Sequence, residues 1–560
     1  MKTQTYRVVL GVAAVLSLAT VVGAEDSVGK SAGPDPQRVY TEAEAIQIGW
    51  PALAGPFSNF SPAKTDIRLV DDLASATVAW TTENLGLGIG KQSTAFGKAM
   101  VTSQIERYLG PDSKAHPGTW AGVIVGEGKV FASSMRPTGP FVEVEYPDKK
   151  AKVRVDAEDL VVAVDFLTGK KLWEAAEPGS VLWGGGKRVG FQVAPVYSNG
   201  KVFTMGATGR VFAYDAATGK KLWQTDIGES HKKAMAERTK VLESLAKGKF
   251  AFPKIDNWSS ALVVADGVVI VPTFNGNSIR GLNLADGAKL WEASGVISYR
   301  NAPSVFTSGG REYLLTANEP GEMRLFNPKD GKELWKVSDL GPNFFTLAPS
   351  QTHVLVNVSK GVARGDSKTR EPGAWGAYRI SPEKAELAWK KDGKTDGYGM
   401  SIWADTLGNH QQTIRDGIGY FTTLDGAESS GASGSGSKGS RFVMVRMDTG
   451  DIVREQQNPL GNLPQVELSL LGGQLWYLIG DKVICRPNST HGPRHGGRHP
   501  WSLWQVTDKE IKQLPGQLDK NEFITGYEVL TQVPIVAGRM IERTETGGIL
   551  CYDLRAPAKP

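Results

Sequence analysis

Three histidines recur at intervals of four residues in one short stretch that is rich in glycine and arginine. His491, His495 and His499 follow Cys485, and they are three of the seven histidines in the 560-residue chain. Imidazole and thiolate groups are ligands for zinc and copper. Glycine and proline between the histidines disfavour a helix that would align them, and the neighbouring arginines repel a cation. We therefore expect no metal site. If one exists, Cys485, His491, His495 and His499 are its candidate ligands. The favoured interpretation of residues 486–500 is a cationic surface loop that contacts an anion.

No other motif predicts catalytic residues. Residues 86–93 superficially match a phosphate-binding loop, but Gln92 follows Lys91 where that loop needs serine or threonine. Neither a Ser-His-Asp set, nor a pair of glycosidase carboxylates, nor an HExxH zinc motif can be identified. We therefore predict no catalytic residue, and enzyme activity is the less favoured hypothesis.

The first 24 residues have the features of a secretory signal. Lys2 and Arg7 precede an apolar stretch, and residues 22–24 supply a small-residue cleavage pattern. The apolar stretch is short for a membrane span of ~20 residues, and no cysteine follows it to carry a lipid anchor. We expect the mature chain to begin at about Glu25 and to be exported, soluble and not lipid-anchored, in the periplasm or outside the cell.

Charge and cysteine content limit the partners. The formal net charge is +5, and it falls to +3 when Lys2 and Arg7 leave with the signal. A nucleic-acid binder needs a concentrated basic surface, so we expect none. Cys485 and Cys551 allow at most one disulfide, and the sequence leaves open whether they form it or remain buried thiols. We expect a monomer with a protein or cell-envelope partner and no transmembrane segment in the mature chain.

One pattern recurs along the chain: an apolar strand, a turn that contains glycine, a basic or polar pair, and then Leu-Trp. The clearest copies are residues 161–173 and 212–223. Each copy follows two more apolar runs that are joined by a polar turn such as Asn199-Gly200. Asn-Gly between strands is a strong hairpin signal because both turn positions need a positive φ. Each unit is therefore a four-stranded antiparallel meander, and its repetition predicts a β-propeller.

The repeats also predict the number of blades. Seven units end near residues 175, 225, 293, 337, 391, 455 and 515. Two fragments remain, a lone strand over residues 77–80 and a blade that lacks its outer strand over residues 529–552. Together they would complete an eighth blade from both chain ends and leave no free sheet edge. We predict an all-β, eight-bladed propeller of four-stranded blades as a single domain over residues 67–556, after an N-terminal extension over residues 25–66.

Two insertions are expected besides the histidine loop. Residues 230–249 read as a short helix, with Ser230 as the N-cap and Gly248 as the stop. This helix is rich in lysine and arginine, and we interpret it as a solvated face rather than a docking site for an anionic partner. Residues 427–439 are rich in glycine and serine and predict a flexible loop.

The repeat from Ala213 to Trp223 resembles the tryptophan-docking repeat of the pyrroloquinoline-quinone-like (PQQ-like) propellers, a family with BamB-like and quinoprotein alcohol dehydrogenase-like members. The resemblance covers most of residues 67–555, and Trp50-Pro51 with Gly55-Pro56 is similar to the segment before the first blade of exported members. The resemblance implies that the repeat tryptophans dock one blade on the next and are structural. They are Trp80, Trp173, Trp223, Trp291, Trp335 and Trp389, with Arg454 at the equivalent position of a later copy.

The family includes both enzymes and binding proteins. Its dehydrogenases bind PQQ and calcium and typically carry two adjacent cysteines, whereas here Cys485 precedes Arg486 and Cys551 precedes Tyr552. We therefore predict an exported non-catalytic scaffold for binding or assembly in the cell envelope, with no cofactor. The alternative is a PQQ- and calcium-dependent dehydrogenase for alcohols or sugars. A second alternative is a metal-binding surface protein that uses the histidine loop.

Overall fold

The fold was analysed in a computed structural model. The structure describes residues 33–87, 122–140, 142–145, 150–153, 156–181, 183–184, 188–189, 193–246, 261–273, 277–297, 301–343, 346–358, 373–391, 399–400, 412–424, 440–457, 475–486, 501–518, 533–544 and 547–557. No helix among these residues is long and apolar enough to cross a membrane. Residues 487–500 of the histidine loop, the glycine/serine loop and the signal segment lie outside the described residues.

The described strands form eight antiparallel blades in a propeller ring, as the repeats predict. Blade 1 consists of Ile124–Gly126, Lys129–Pro137, Asp156–Asp165 and Lys171–Val181. Blade 2 consists of Val196–Ser198, Lys201–Met205, Arg210–Asp215 and Lys221–Asp226. Blade 3 consists of Val263–Ala265, Val268–Thr273, Ser278–Asn283 and Lys289–Ala293. Blade 4 consists of Ser304–Ser308, Arg311–Ala317, Met323–Phe326 and Glu333–Val337.

The second half of the ring is less regular. Blade 5 contributes His353–Asn357, Gly373–Ile380 and Ala385–Lys391. Blade 6 consists of Gln412–Arg415, Ile418–Leu424, Ser440–Arg446 and Ile452–Gln457. The short strand Gly399–Met400 pairs with both of these blades and joins them into one sheet. Blade 7 consists of Leu475–Ile479, Lys482–Arg486, Ser502–Val506 and Ile511–Gln513.

The two ends of the chain close the ring in blade 8. Its first three strands are Ile535–Val536, Arg539–Arg543 and Ile549–Asp553, and its outer strand is Thr77–Thr81. The outer strand pairs antiparallel with Ile549–Asp553, with Thr77 opposite Asp553. The prediction that both ends combine into an eighth blade is therefore confirmed.

A β-bulge precedes the repeat tryptophan of each copy. In blade 2, Ala213 faces Trp223 on the outer strand while Tyr214 faces Lys221, so Leu222 is the extra residue. A bulge re-aims the side chains beside it. Here Trp223 turns inwards and is 9% exposed, whereas Leu222 turns outwards and is 42% exposed. The same register shift precedes Trp80, Trp173, Trp291, Trp335 and Trp389.

Each of these tryptophans contacts the following blade. The indole N–H of Trp173 donates to the carbonyl of Ala216 over 3.0 Å, and its ring lies against Gly219, where a Cβ would come within 2.6 Å of it. The other five indoles donate in the same way to the carbonyls of Phe166, Leu284, Pro328, Ser381 and Met447. In blade 6, Arg454 stands at the tryptophan position, and its Nε donates to the carbonyl of Asp508 in blade 7 over 2.8 Å.

Two helices are described outside the blades. Helix α1 spans Glu42–Ile48 and begins at a Thr41 capping box. Helix α2 spans Ser230–Ala246, between blades 2 and 3, so Ser230 is its first residue rather than its N-cap. Three short two-stranded ribbons are also described. They pair Val39–Tyr40 with Lys64–Thr65, Val142–Glu145 with Lys150–Val153, and Trp183–Gly184 with Arg188–Val189. A 3-10 turn spans Leu73–Ser75.

The cationic side chains of α2 are largely paired. Lys232 lies 3.4 Å from Glu229, Lys240 contacts Glu237, and Arg238 donates to both carboxylate oxygens of Asp156 in blade 1. The buried face of α2 is formed by other residues, chiefly Ala234 and Val241.

Candidate functional site

The N-terminal segment of residues 50–61 lies inside the ring, against the first strands of the blades. Those strands are buried while the last strands are largely exposed, which places the first strands around the central channel. The backbone N–H of Trp50 donates to the carbonyl of Val125 in blade 1 over 2.8 Å, and Val125 returns the bond. The carbonyl of Pro51 accepts from the N–H of Tyr197 in blade 2. The segment therefore begins with a single antiparallel bridge to blade 1 and continues as a series of turns.

Apolar residues of the segment fill part of the channel. Leu53, Ala54 and Phe60 are buried in one cluster with Ala194, Ala261, Ala302 and Ala348. Three of these alanines come just before the first strands of blades 2, 3 and 4, and the fourth precedes blade 5. Alanine is the smallest apolar side chain, so the wall leaves room for the larger Leu53 and Phe60. We call residues 50–61 the channel plug.

Polar residues hold the other end of the plug to blade 6. Asn59 donates through Nδ2 to the carbonyl of Ile414 over 3.2 Å, and its Oδ1 accepts from the N–H of Ser61. The hydroxyls of Ser61 and Thr413 lie 3.1 Å apart, and Thr413 also donates to the carbonyl of Asn59. All four residues are buried, so each of these bonds is made away from water.

The plug also meets blades 4 and 7. The hydroxyl of Ser58 accepts from the N–H of Val305 over 3.3 Å, and the ring of Trp50 meets Tyr477 edge to face at 5.8 Å. Gly55, with a φ of 77°, approaches the same indole so closely that a Cβ would lie 3.1 Å from it. Hydrogen bonds and ring contacts with five blades thus fix one twelve-residue segment, which makes the plug an integral part of the ring.

Gln412 is a buried polar side chain on the channel side of blade 6. It is 0% exposed, and neither its amide oxygen nor its amide nitrogen has a hydrogen-bond partner in the described structure. A buried amide without a partner costs about 1–3 kcal/mol, and such groups usually bind an ordered water or ligand. The first strand of blade 6 therefore carries a buried amide that no protein group satisfies in the described structure.

The two cysteines are free thiols on different blades. Cys485 lies on the second strand of blade 7 and Cys551 on the third strand of blade 8, and both are buried. Burial raises the pKa of each thiol to about 12. The thiolate is the form that binds metals, so a thiol that keeps its proton at neutral pH is a poor ligand. Cys485 is the member of the candidate metal set that the structure describes, since His491, His495 and His499 lie outside the described residues.

Blade 8 contributes two buried charged residues that the repeat pattern does not mark. Glu542 accepts from the indole N–H of Trp501 over 3.0 Å, and Arg543 donates to the carbonyl of Leu87 over 2.6 Å. Desolvation lowers the pKa of Arg543 to about 10. These residues connect blade 8 to blade 7 and to the segment that follows the outer strand. Within the described ranges, no group of three or more His, Cys, Asp or Glu could hold a metal ion.

The sequence pointed to the plug through Trp50-Pro51 and Gly55-Pro56 but not to its partners. Thr413 and Ile414 stand more than 350 positions away and carry no motif of their own. Their nearness to the plug depends on the closure of the ring. The six repeat tryptophans lie on the outer strands of blades 8 and 1 to 5, away from the channel.

Comparison with known proteins finds PQQ-like propeller proteins that are similar to the region of the repeats. A family model described as outer membrane protein assembly factor BamB matches residues 157–370. Similar relatives are the quinohemoprotein alcohol dehydrogenase ADH IIB of Pseudomonas putida, 25% identical over 39% of this chain and 31% of the relative, and BamB of Xanthomonas campestris, 28% identical over 26% of this chain and 30% of the relative. The chain thus aligns with about a third of the length of each.

Two solved structures are similar to this chain at low sequence identity. BamB of Moraxella catarrhalis is 11% identical with a TM-score of 0.42, and the match covers 76% of this chain and 99% of that one. The quinohemoprotein alcohol dehydrogenase ADHIIG of Pseudomonas putida is 12% identical with a TM-score of 0.49, covering 94% and 83%.

Proposed function

We propose that this PQQ-like β-propeller is an exported, non-catalytic scaffold for binding or assembly in the cell envelope. The observation that carries the proposal is the channel plug. Leu53, Ala54 and Phe60 occupy space at the ring axis with the chain's own side chains, and hydrogen bonds to blades 1, 2, 4 and 6 hold the segment there. A propeller filled in this way presents its outer strands and loops to partners. The match to a family model described as an assembly factor supports the same function.

The alternative is a dehydrogenase that uses PQQ and calcium. It is favoured by the similarity to quinoprotein alcohol dehydrogenases, including PedH of Pseudomonas putida, 40% identical over 63 residues or 11% of each chain. The unpartnered amide of Gln412 also offers a polar contact for a bound group. The adjacent-cysteine platform typical of those enzymes does not fit this chain, because Cys485 and Cys551 are free thiols on separate blades.

Site-specific photocrosslinking tests the scaffold function directly. A photoreactive phenylalanine analogue replaces one exposed outer-strand residue at a time in the full-length protein, expressed in its native envelope. The positions are Val78, Leu172, Leu222, Leu290, Leu334 and Leu387, one on each of six blades and all more than a third exposed. The same analogue at buried Phe60 is the control. We expect a discrete adduct with an envelope protein from neighbouring positions and none from Phe60. Equal, diffuse labelling at every exposed position, or no adduct, would contradict the proposal.

A further inference from the structure

The junction of blades 7 and 8 differs from the other junctions of the ring at its outer edge. Residues 505–518 of blade 7 contain no tryptophan. The outer strand Ile511–Gln513 pairs with Ser502–Val506 without the register shift that turns a repeat tryptophan inwards elsewhere. Trp501 reaches Glu542 of blade 8 from the interior of blade 7, so the outer edge of this junction needs another contact.

A short part of the N-terminal segment lies across this junction. Residues 68–76 follow the channel plug and lead into the outer strand of blade 8, and we call them the strap. On the side of blade 8, the N–H of Val70 donates to the carbonyl of Leu554 over 2.9 Å. On the side of blade 7, the N–H of Leu73 donates to the carbonyl of Pro515, also over 2.9 Å. The backbone of the strap therefore bonds to both blades.

Leu554 occupies the position that accepts an indole in other blades. It is the first residue after the third strand of blade 8, and its N–H donates to the carbonyl of the glycine in the first turn of that blade. Ala216 has the same place and the same bond in blade 2, and its carbonyl accepts from the indole of Trp173. At the junction of blades 7 and 8, the N–H of Val70 thus takes the place of an indole N–H.

The strap also supplies the apolar part of this contact. Leu69, Val70 and Leu73 are 5%, 3% and 0% exposed. They belong to one buried cluster with Tyr477 of blade 7 and Leu554 of blade 8. A docking tryptophan combines an apolar contact with one hydrogen bond, and the strap makes the same combination with three aliphatic side chains and its backbone.

Blade 7 fits closely around the strap. Gly516, with a φ of 76°, lies so near that a Cβ there would overlap Oδ1 of Asp72 and the backbone nitrogen of Ala74. These two atoms already form the hydrogen bond that caps the 3-10 turn of the strap, over 2.9 Å. Oδ1 of Asp71 lies 3.1 Å from Nζ of Lys482, whose side chain is only 8% exposed.

We propose that the strap closes the ring in place of a tryptophan, and that the ring opens at the junction of blades 7 and 8. At the tryptophan junctions, the docking side chain belongs to a strand that comes directly after the other strands of its blade. The strap instead continues into Thr77–Thr81, so residues 68–81 can detach together while every strand of blades 1 to 7 keeps its partners. Segments of this kind open locally before the whole structure unfolds. The strap contains no plug residue, so this inference is independent of the proposed scaffold function.

Hydrogen–deuterium exchange of the full-length protein, followed by mass spectrometry, tests the strap. In the unchanged protein, we expect the amides of residues 69–81 to exchange ~10-fold faster than those of Lys221–Asp226, the outer strand of blade 2. Gly516→Ala places a methyl group against the strap. It should speed exchange in residues 69–81 and in Ile549–Asp553 by a further ~10-fold, while Val268–Thr273 of blade 3 keeps its rate.

Gly480→Ala is the matched control, because Gly480 lies in a turn of the same blade with a φ of 62° and nothing within 4 Å of the added methyl. It should leave the exchange of residues 69–81 unchanged. Leu73→Ala removes a buried side chain of the strap and should reproduce the pattern of Gly516→Ala. Equal exchange in the two outer strands of the unchanged protein, a rise of the same size in every blade, or the same rise in Gly480→Ala would overturn the proposal.

Discussion

The indole of Trp173 in blade 1 lies directly on the backbone of Gly219 in blade 2. Its N–H donates to the carbonyl of Ala216 over 3.0 Å, so one side chain makes both an apolar and a polar contact across the junction. The bulge that expels Leu172 is what turns Trp173 towards the next blade. We propose that five more copies of this arrangement, from Trp80 to Trp389, hold the blades of this ring together.

Gly219→Ala tests this arrangement, because the new methyl group would lie 2.6 Å from the Trp173 ring at a φ of 72°. We expect unfolding free energy to fall by ~2–5 kcal/mol, from backbone strain together with overpacking. Gly267→Ala is the control. It has a similar φ of 80° but nothing within 4 Å of the added methyl, so it should lose only the strain of ~1–2 kcal/mol. Equal losses in chemical denaturation would show that the indole does not need the glycine.

Phe60→Ala tests the channel plug. Phe60 is 2% exposed at the ring axis, and its truncation should cost ~3–5 kcal/mol of unfolding free energy. Leu222→Ala, which removes an apolar side chain that is 42% exposed, should change stability by no more than ~0.5 kcal/mol. Denaturation curves of the two variants check this. A loss for Phe60→Ala as small as that for Leu222→Ala would mean that the plug is not integral to the ring.

The buried thiols of Cys485 and Cys551 should be inert in the folded protein. Burial raises both pKa values to about 12, so the reactive thiolate is scarce at pH 8. We expect a thiol reagent to label neither cysteine in native buffer and both after unfolding in guanidinium. Rapid labelling of the native protein would contradict the burial. Failure to label the unfolded, unreduced protein would instead reveal a disulfide.

Mild acid should destabilise the fold through His231. Its pKa in the folded state lies below the unfolded value of ~6.5, so the unfolded chain binds the proton more readily. Stability is therefore unaffected above that pH and falls as the pH drops from ~6.5 to 5. The slope should be shallower in His231→Gln, although not zero, because burial lowers the pKa of His353 as well. Chemical denaturation at several pH values checks this, and an unchanged slope in His231→Gln would contradict it.

The repeat itself made the fold predictable. The Thr-Gly turn and the tryptophan recur because every blade must pack on the next, so local sequence carries the information about each blade junction. Even the pairing of residues 77–80 with the last blade followed from counting strands. The bulge at Leu222 was not predicted, because the order of apolar and polar residues along the strand does not reveal a register shift.

The site was much less predictable than the fold. Arg210 of blade 2 pairs with Asp159 of blade 1 in the buried interior, and no spacing rule connects the two residues. The contacts of Asn59 with Thr413 and Ile414 depend on ring closure over more than 350 residues. The types and the four-residue spacing of its side chains single out the histidine loop, and its function stays a prediction.

Titration of the purified protein with pyrroloquinoline quinone and calcium tests the central claim most directly. A ligand that binds only the folded state must raise the melting temperature once it exceeds its dissociation constant. Because the plug occupies part of the channel in our account, we predict no calcium-dependent rise in melting temperature. We also predict no quinone absorbance retained after gel filtration and no dye-linked oxidation of alcohols or sugars. A calcium-dependent thermal shift accompanied by turnover would contradict the scaffold function and identify the protein as a quinoprotein dehydrogenase.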